Sequence, residues 1–372
     1  MVKKYCFFVV FFLINFFSYA QDIVFKEKIN NDYTRFFYDD NYFLVDKNCE
    51  FKSIERVAQF DTITLRFHGE FKDFNNQGKL ILHGFYKNGK KDGAFTAYHP
   101  NGKVKWKSTF IDNDESGLWS YYYPDGKPML VISLDSADFK FVDFWDTFGN
   151  QKIKSGEGKY NINIPIKGFT DHGYASYNTK GIIKNGKPDG NWSTSFITDG
   201  KKKELVQVFT ETFADEKRTS SHLSPDFIGL FIPYEDFQLV PSDFFGRSEL
   251  FIFNNCSFDE YSGFKNFTAR KINHNLSTFT FNIPNTSFQV EVKYAVTKKG
   301  FPSNIELINS PDDLNKNVKN RIMGIFNAIG YFIPSILNGE PIKDNITITG
   351  DFINNNGNLR LSHLDIKREK GQ

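Results

Sequence analysis

A step of 24 residues constrains this chain more than any other feature. Gly69, Gly93 and Gly117 recur at that interval, and so do Gly78, Gly102 and Gly126, each of the second set preceding a lysine (Lys79, Lys103, Lys127). Large side chains keep the same step: Phe71, Phe95 and Trp119; Phe74, Tyr98 and Tyr122; Leu82, Trp106 and Leu130; Tyr86, Phe110 and Leu134. Several ladders in one register describe a supersecondary unit that cannot bury its apolar face alone and must stack on its copies.

Within a unit, Val104, Trp106 and Ser108 alternate with Lys105, Lys107 and Thr109, the period of a strand with one covered and one wet face. Asn101-Gly102 and Asp125-Gly126 offer the positive φ of a tight turn, so two arms fold back as a hairpin. A single hairpin is marginal, whereas stacked hairpins pair their edges and align their aromatics. The fold class expected is therefore mainly β, an antiparallel meander of 24-residue hairpins over 62–222, with the six ladder glycines at its turns. Residues 21–61, rich in aromatics such as Phe36, Phe37 and Tyr38, supply either its first strands or a cap for its open edge.

The run Asn88-Gly89-Lys90-Lys91-Asp92-Gly93, an aromatic strand, and Pro-Asn-Gly-Lys or Pro-Asp-Gly-Lys at 100–103 and 124–127 resemble the MORN-type repeats of the YwqK antitoxin-like group. Weaker copies stand at 185–192 and 144–149. The resemblance implies a repeat sheet used for binding or as a spacer.

Lys3-Lys4, the apolar run from Cys6 to Phe17 and Ser18-Tyr19-Ala20 read as a cleavable secretory signal over 1–20, with no integral membrane span after cleavage. The 46 basic residues lose Lys3 and Lys4 with it, leaving 44 against 44 acidic ones, and a neutral chain has no net draw to phosphate, which argues against nucleic acid as partner. Cys49 and Cys256 remain. Two isolated cysteines neither prove a bridge nor resemble a metal site, since pairing depends on proximity.

Residues 223–283, with Pro225, Pro233 and Pro241, read as a connecting region with short strands of its own. From 284 the character changes. Phe288 to Val296 alternate as a half-buried strand, Lys299-Gly300 turn the chain into a second strand at 305–308, and Ser310-Pro311 signal a helix start. Leu314, Val318, Ile322, Phe326 and Ile329 follow at helical spacing up to Gly330; strands at 331–333 and 346–352 complete a ββαβ order in an α+β domain. That order, with Gly300, Ser310, Leu314, Pro334, Gly339 and Pro341 as landmarks, resembles the C-terminal domain of TonB over 284–355. The resemblance implies a bacterial envelope setting and a module that contacts outer-membrane receptors, partly by accepting a partner strand at a sheet edge.

No motif dictates a reaction. Asp112 to Gly117 carry oxygens at calcium-loop positions 1, 3 and 5, but Tyr123 stands where the twelfth ligand would be. Gly156-Glu-Gly158-Lys159 lacks the spacing of a phosphate loop, and the seven histidines include no HExxH. The expectation is thus a non-catalytic exported scaffold with no cofactor or metal, whose C-terminal module recognises a protein or peptide, an outer-membrane protein among the candidates. The alternatives are a transducer component that keeps its N-terminal anchor and an envelope hydrolase.

Overall fold

The computed structural model describes residues 24–135, 138–166, 169–170, 174–198, 203–227, 238–241, 250, 252, 256–312, 314–337 and 340–369. The signal segment 1–20, Pro233 and Gly339 lie outside the described residues.

The chain opens with β1 (Lys26–Lys28), β2 (Tyr33–Tyr38) and β3 (Ile54–Asp61). The ladders occupy β4 (Arg66–Asn75), β5 (Leu80–Lys87), β6 (Lys90–Lys91), β7 (Gly93–Tyr98), β8 (Val104–Ile111), β9 (Asp114–Tyr122) and β10 (Pro128–Asp135). Beyond them run β11 (Asp138–Trp145), β12 (Gln151–Lys154), β13 (Glu157–Pro165), β14 (Ser176–Lys184), β15 (Lys187–Ile197), β16 (Leu205–Ala214) and β17 (Lys217–Leu223). Strands pair antiparallel with their neighbours in chain order, β6 and β7 sharing β5, to make one 17-stranded meander. The hairpin repeat is as the 24-residue step requires.

Its two ends are built differently. At one end Asn75–Lys79, His99–Lys103, Tyr123–Lys127 and Asp146–Asn150 form the same five-residue turn. In each, the first residue's N–H donates to the fifth carbonyl and the fourth, always glycine, donates back to the first. Only Gly102 and Gly126 of the two expected dipeptides have positive φ; Asn101 and Asp125 instead accept the N–H of Lys103 and Lys127 on their side-chain oxygens. At the other end the tight two-residue turns, both central residues at positive φ, are Asn88-Gly89, Asp112-Asn113, Ser155-Gly156, Asn185-Gly186 and Asp215-Glu216. The ladder of Gly69, Gly93 and Gly117 is not at the tips: these glycines lie in strands, at φ 63, 101 and 72°, where the pairing register shifts just after a turn.

The inward-facing residues of the sheet form a single apolar cluster from Phe36 to Phe227. Rings succeed one another from strand to strand: Phe71 to Phe95 at 5.5 Å, Phe95 to Phe110 at 4.7 Å, Phe110 to Trp119 at 5.4 Å. Where a ring must lie flat on the neighbouring backbone the sequence places a small residue eleven positions earlier: Gly84 for Phe95, Ser108 for Trp119, Gly181 for Trp192. A Cβ at Gly84 would stand 2.6 Å from Phe95 and one at Gly181 2.2 Å from Trp192. Ser108 keeps its hydroxyl there at a cost, because neither its Oγ nor Trp119 Nε1 finds a partner among the described residues.

Among these rings sits a fully buried ion pair. Arg56 reaches from β3 to Asp73 on β4 with bidentate hydrogen bonds of 2.7 and 2.8 Å, donates to Tyr86 at 3.2 Å, and lies 4.1 Å from the Phe71 ring centroid. Burial acts to lower the guanidinium's pKa, but the charge of Asp73, its hydrogen bonds to Arg56 and the charge interaction with the Tyr86 and Tyr38 phenols together hold it well above its usual value.

The C-terminal part comprises α1 (Phe258–Tyr261), α2 (Phe264–Leu276), β18 (Thr286–Val296), β19 (Pro302–Asn309), α3 (Lys316–Asn327), the short pair β20 (Ile336–Leu337) and β21 (Glu340–Pro341), β22 (Asp344–Asn355) and β23 (Asn358–Arg368). Its sheet runs β19-β18-β22-β23, packed under the helices around Phe264, Phe267, Tyr294, Phe326 and Phe352. The α+β class holds; several details differ from expectation. The described part of 223–283 contains a 3-10 turn at Pro225–Phe227 and two helices in place of short strands. The helix after β19 is capped by Asn315, whose side chain accepts from Val318, and not by Ser310, and it ends at Ala328 before Gly330. Residues 331–333 form no strand: Phe332 plugs the core against Tyr294 at 4.7 Å and its N–H donates to Gly300. The final strand is β23, hidden in the sequence because a bulge against Asp351/Phe352 breaks its alternation between Leu361 and Leu364.

The two parts are joined. Phe169, from the connection between β13 and β14, enters the C-terminal core between Phe264, Phe267 and Tyr331. Cys49 and Cys256 form a disulfide across 207 positions of sequence, and beside it Phe51 stacks on Tyr261 at 4.3 Å.

Candidate binding surface

The C-terminal sheet has two edges, and the chain treats them oppositely. On β23 the side-chain amide of Asn273 on α2 acts as a neighbouring strand would, donating to the Leu361 carbonyl at 3.2 Å and accepting from its N–H at 2.8 Å. The end of β23 is then locked by Arg368, which grips Asp259 of α1 through two nitrogens and donates to Ile333 O and Ser335 Oγ. These groups are almost wholly buried, at 6% and 5% side-chain exposure.

On β19 no such cover exists among the described residues: it pairs with β18 alone. Glu306 is its one charged residue, and Ile308 is 48% exposed. Phe301 at the entrance to the strand is about half exposed as well. The register against β18 shifts at Ser303 and again at Ile308, so the regular part of this edge is Asn304–Leu307; it is nearly uncharged, has no interior proline and no covering helix among the described residues, and can accept a short added strand.

Of the described landmarks, Gly300, Ser310 and Leu314 lie near this edge or on the core, whereas Pro334 and Pro341 belong to the segment that Arg368 and Asp344 hold through Ser335. Gly300 makes the β18–β19 turn at φ 86°, the same five-residue turn as in the repeats, and a Cβ there would meet the Phe332 carbonyl at 2.4 Å. Ser310 closes β19; Leu314 packs on the core; Pro334 lies in the segment that crosses behind it; Pro341 is on the short pair. The helices α1 and α2, which seal the far edge, were missed in the sequence. The signal was there: Phe264, Phe267, Thr268, Lys271 and Ile272 are buried at helical spacing.

In the repeats, the lysines after the turn glycines are not all free in solvent. Lys79 donates to Pro100 O at 3.2 Å and Lys103 to Asp125 O at 2.5 Å, while Asn101 reaches Pro124 O at 2.7 Å and His99 Nε2 lies 2.9 Å from Tyr122 O. Each turn is thus strapped to the next. Tyr123 continues the series to Trp145 O at 2.8 Å, and burial, with Asp146 and Asp125 nearby, pushes its phenol up to about 12. The calcium-like stretch is used differently: Asp112 and Asn113 are the centre of a turn, and Asn113 Oδ1 accepts from Lys91 N. Gly156 is likewise the second residue of a turn, and His83 pairs with Glu70 at 2.9 Å.

This geometry defines a repeat-hairpin sheet carrying a small α+β module. Residues 67–88, 91–112 and 115–133 match the MORN repeat variant family, within the sheet and in step with its hairpins. The matches stop short of 284–355, and none of them supports the resemblance to the C-terminal domain of TonB expected there. No curated protein matches the chain. A solved structure described as the GtfA/B complex bound to UDP and GlcNAc is similar over 36% of this chain and 26% of that one, at 13% identity and a TM-score of 0.13.

Proposed function

We propose that this chain is a non-catalytic exported envelope protein in which the MORN-type sheet is a rigid scaffold and the C-terminal module, of TonB-like design, recognises an extended segment of a protein partner at β19. The open edge carries the reading: β23 is sealed by Asn273 while β19 is left bare beside exposed apolar side chains. Strand addition takes its affinity from main-chain hydrogen bonds and its specificity from alternate side chains, and Ile308 with Phe301 offers apolar seats for the latter. The Cys49–Cys256 disulfide supports an oxidising compartment. Outer-membrane proteins are the first class of partner to try.

The test is retention of a protein from outer-membrane extract by the tethered full chain, with amide exchange on the complex. Retention by the wild type, loss with Ile308→Lys, and new protection confined to β19 are expected. A blank at high loading, or protection elsewhere, would count against the edge. The module should be tested with its helices: a fragment beginning at 284 lacks α2, and with it Phe264, Phe267 and Ile272 of the core.

A further inference from the structure

A groove of about 590 Å³ crosses the outward side of the sheet from β12 to β16, past the last residue matched by the repeat family. That volume lies in the range of small-molecule sites, roughly 300–1,000 Å³. Its floor is Ile182 and the backbone of Gly181, where the strand bulges between Lys180 and Ile182 and the Trp192 ring lies directly beneath.

Donors dominate the walls, Asp146 at the rim being the one acidic group among the lining residues. Lys159 stands opposite Ile182 and Lys180 opposite Asn161, so the two lysines are diagonal neighbours on adjacent strands. Neither has an ion pair among the described residues, in contrast to Lys152 at the rim, which Asp146 holds at 3.2 Å. Two amides add to them: Asn161 and Asn191 have their oxygens engaged, by Asn178 at 2.7 Å and Thr212 at 3.1 Å, which leaves each NH2 group to the groove. Two ammonium groups and two amide donors over an apolar floor call for a ligand rich in acceptors, anionic, and with one flat apolar face.

A peptide strand does not fit, because β13, β14 and β15 are hydrogen-bonded on both sides and have no edge to offer. We propose that this groove binds an acidic saccharide, one sugar face on Ile182 and Gly181, its carboxylate or phosphate between Lys159 and Lys180, and its hydroxyls on Asn161 and Asn191. The two anionic groups are alternative sources of the same chemistry.

Calorimetric titration of the full chain at about 50 mM salt, where the screening length still exceeds the lysine separation, tests this with three probes: oligogalacturonate, glucose 6-phosphate and a neutral cello-oligosaccharide. At least one anionic probe should bind at least about tenfold more tightly than the neutral one, and lose about tenfold or more in Lys159→Gln/Lys180→Gln. Lys105→Gln/Lys107→Gln, on the same outward face but outside the groove, should bind as the wild type. Ile182→Trp keeps both lysines and fills the floor, so it should abolish binding while thermal unfolding shows the sheet intact. Equal affinity for neutral and anionic probes, equal loss in both lysine pairs, or undiminished binding by Ile182→Trp would overturn the assignment.

Discussion

The repeat sheet and the C-terminal module solve the same problem, covering an apolar face of β-structure, by opposite means. The sheet covers its face with its own next strands: almost every ring meets a ring one or two strands away, and the straps between turns span 21 to 24 residues. The module covers its face with helices that arrive from elsewhere in the chain, and its decisive contacts are distant: Asn273 to Leu361, Asp259 to Arg368, Phe169 to Phe264. Local closure can be copied unit by unit. Distant closure fixes one arrangement, and here it spends its helices on one edge and leaves the other open.

The largest expected effect is on the ion pair of Arg56 and Asp73, whose side chains are both fully buried in the sheet. Asp73→Ala strands Arg56 among aromatic rings and should cost about 3–5 kcal/mol in urea unfolding, whereas Arg56→Met with Asp73→Leu should recover most of it. If the loss appears in both parts at once, the two are a single cooperative unit and the contrast drawn above is one of construction alone. Cys49→Ser/Cys256→Ser comes next, at about 2–4 kcal/mol; it should split one unfolding transition into two, with Trp fluorescence following the sheet, since all four tryptophans (Trp106, Trp119, Trp145, Trp192) belong to it. A third change should gain stability. Ser108→Ala removes a buried hydroxyl with no partner beneath Trp119 and is expected to add about 1 kcal/mol.

The smallest effect at neutral pH concerns the tyrosines. Burial raises Tyr160 in the sheet and Tyr294 in the module well above 10, and Tyr123 to about 12. A raised phenol pKa means that the folded state keeps its proton where the unfolded chain has lost it. The stability this represents is complete below pH 10 and falls as pH climbs through the folded values. Absorbance titration should show these three phenols ionising later than a free phenol would, with loss of structure. Early ionisation of Tyr294 alone would mean that the module opens first.

What was legible in the sequence follows the same division. The ladders at Gly78, Phe95 and Trp106 are visible because the packing that selects them lies within a few tens of residues and repeats. The alternating turns were only half visible: Asn101-Gly102 looks like a two-residue turn until the Lys103 N–H is found on the Asn101 side chain. In the module the β18 alternation and the α3 stripe could be read, but β23 could not, since its bulge shifts Leu364 out of phase with Leu361. Arg56 and Asp73 look like ordinary surface charges in a strand of alternating residues. Nothing short of their mutual approach says otherwise. Proximity likewise decided Cys49 and Cys256, and the donor-rich groove arises from register, which no spacing rule states.

Most of the straps between turns point the same way, although Asn76 reaches back to Lys52 O at 2.8 Å. Lys79, Asn101, Lys103 and Tyr123 all reach forward, from one turn to the carbonyls of the following one. A duplicated unit spliced in frame would therefore arrive with its own donors and find acceptors already waiting, and a deleted unit would leave its neighbours able to join hands. Length in such a sheet is adjustable in steps of one hairpin, but the C-terminal module is tied to Cys49 ahead of the repeats and to Phe169 behind them, so any added hairpin must be absorbed between those two ties.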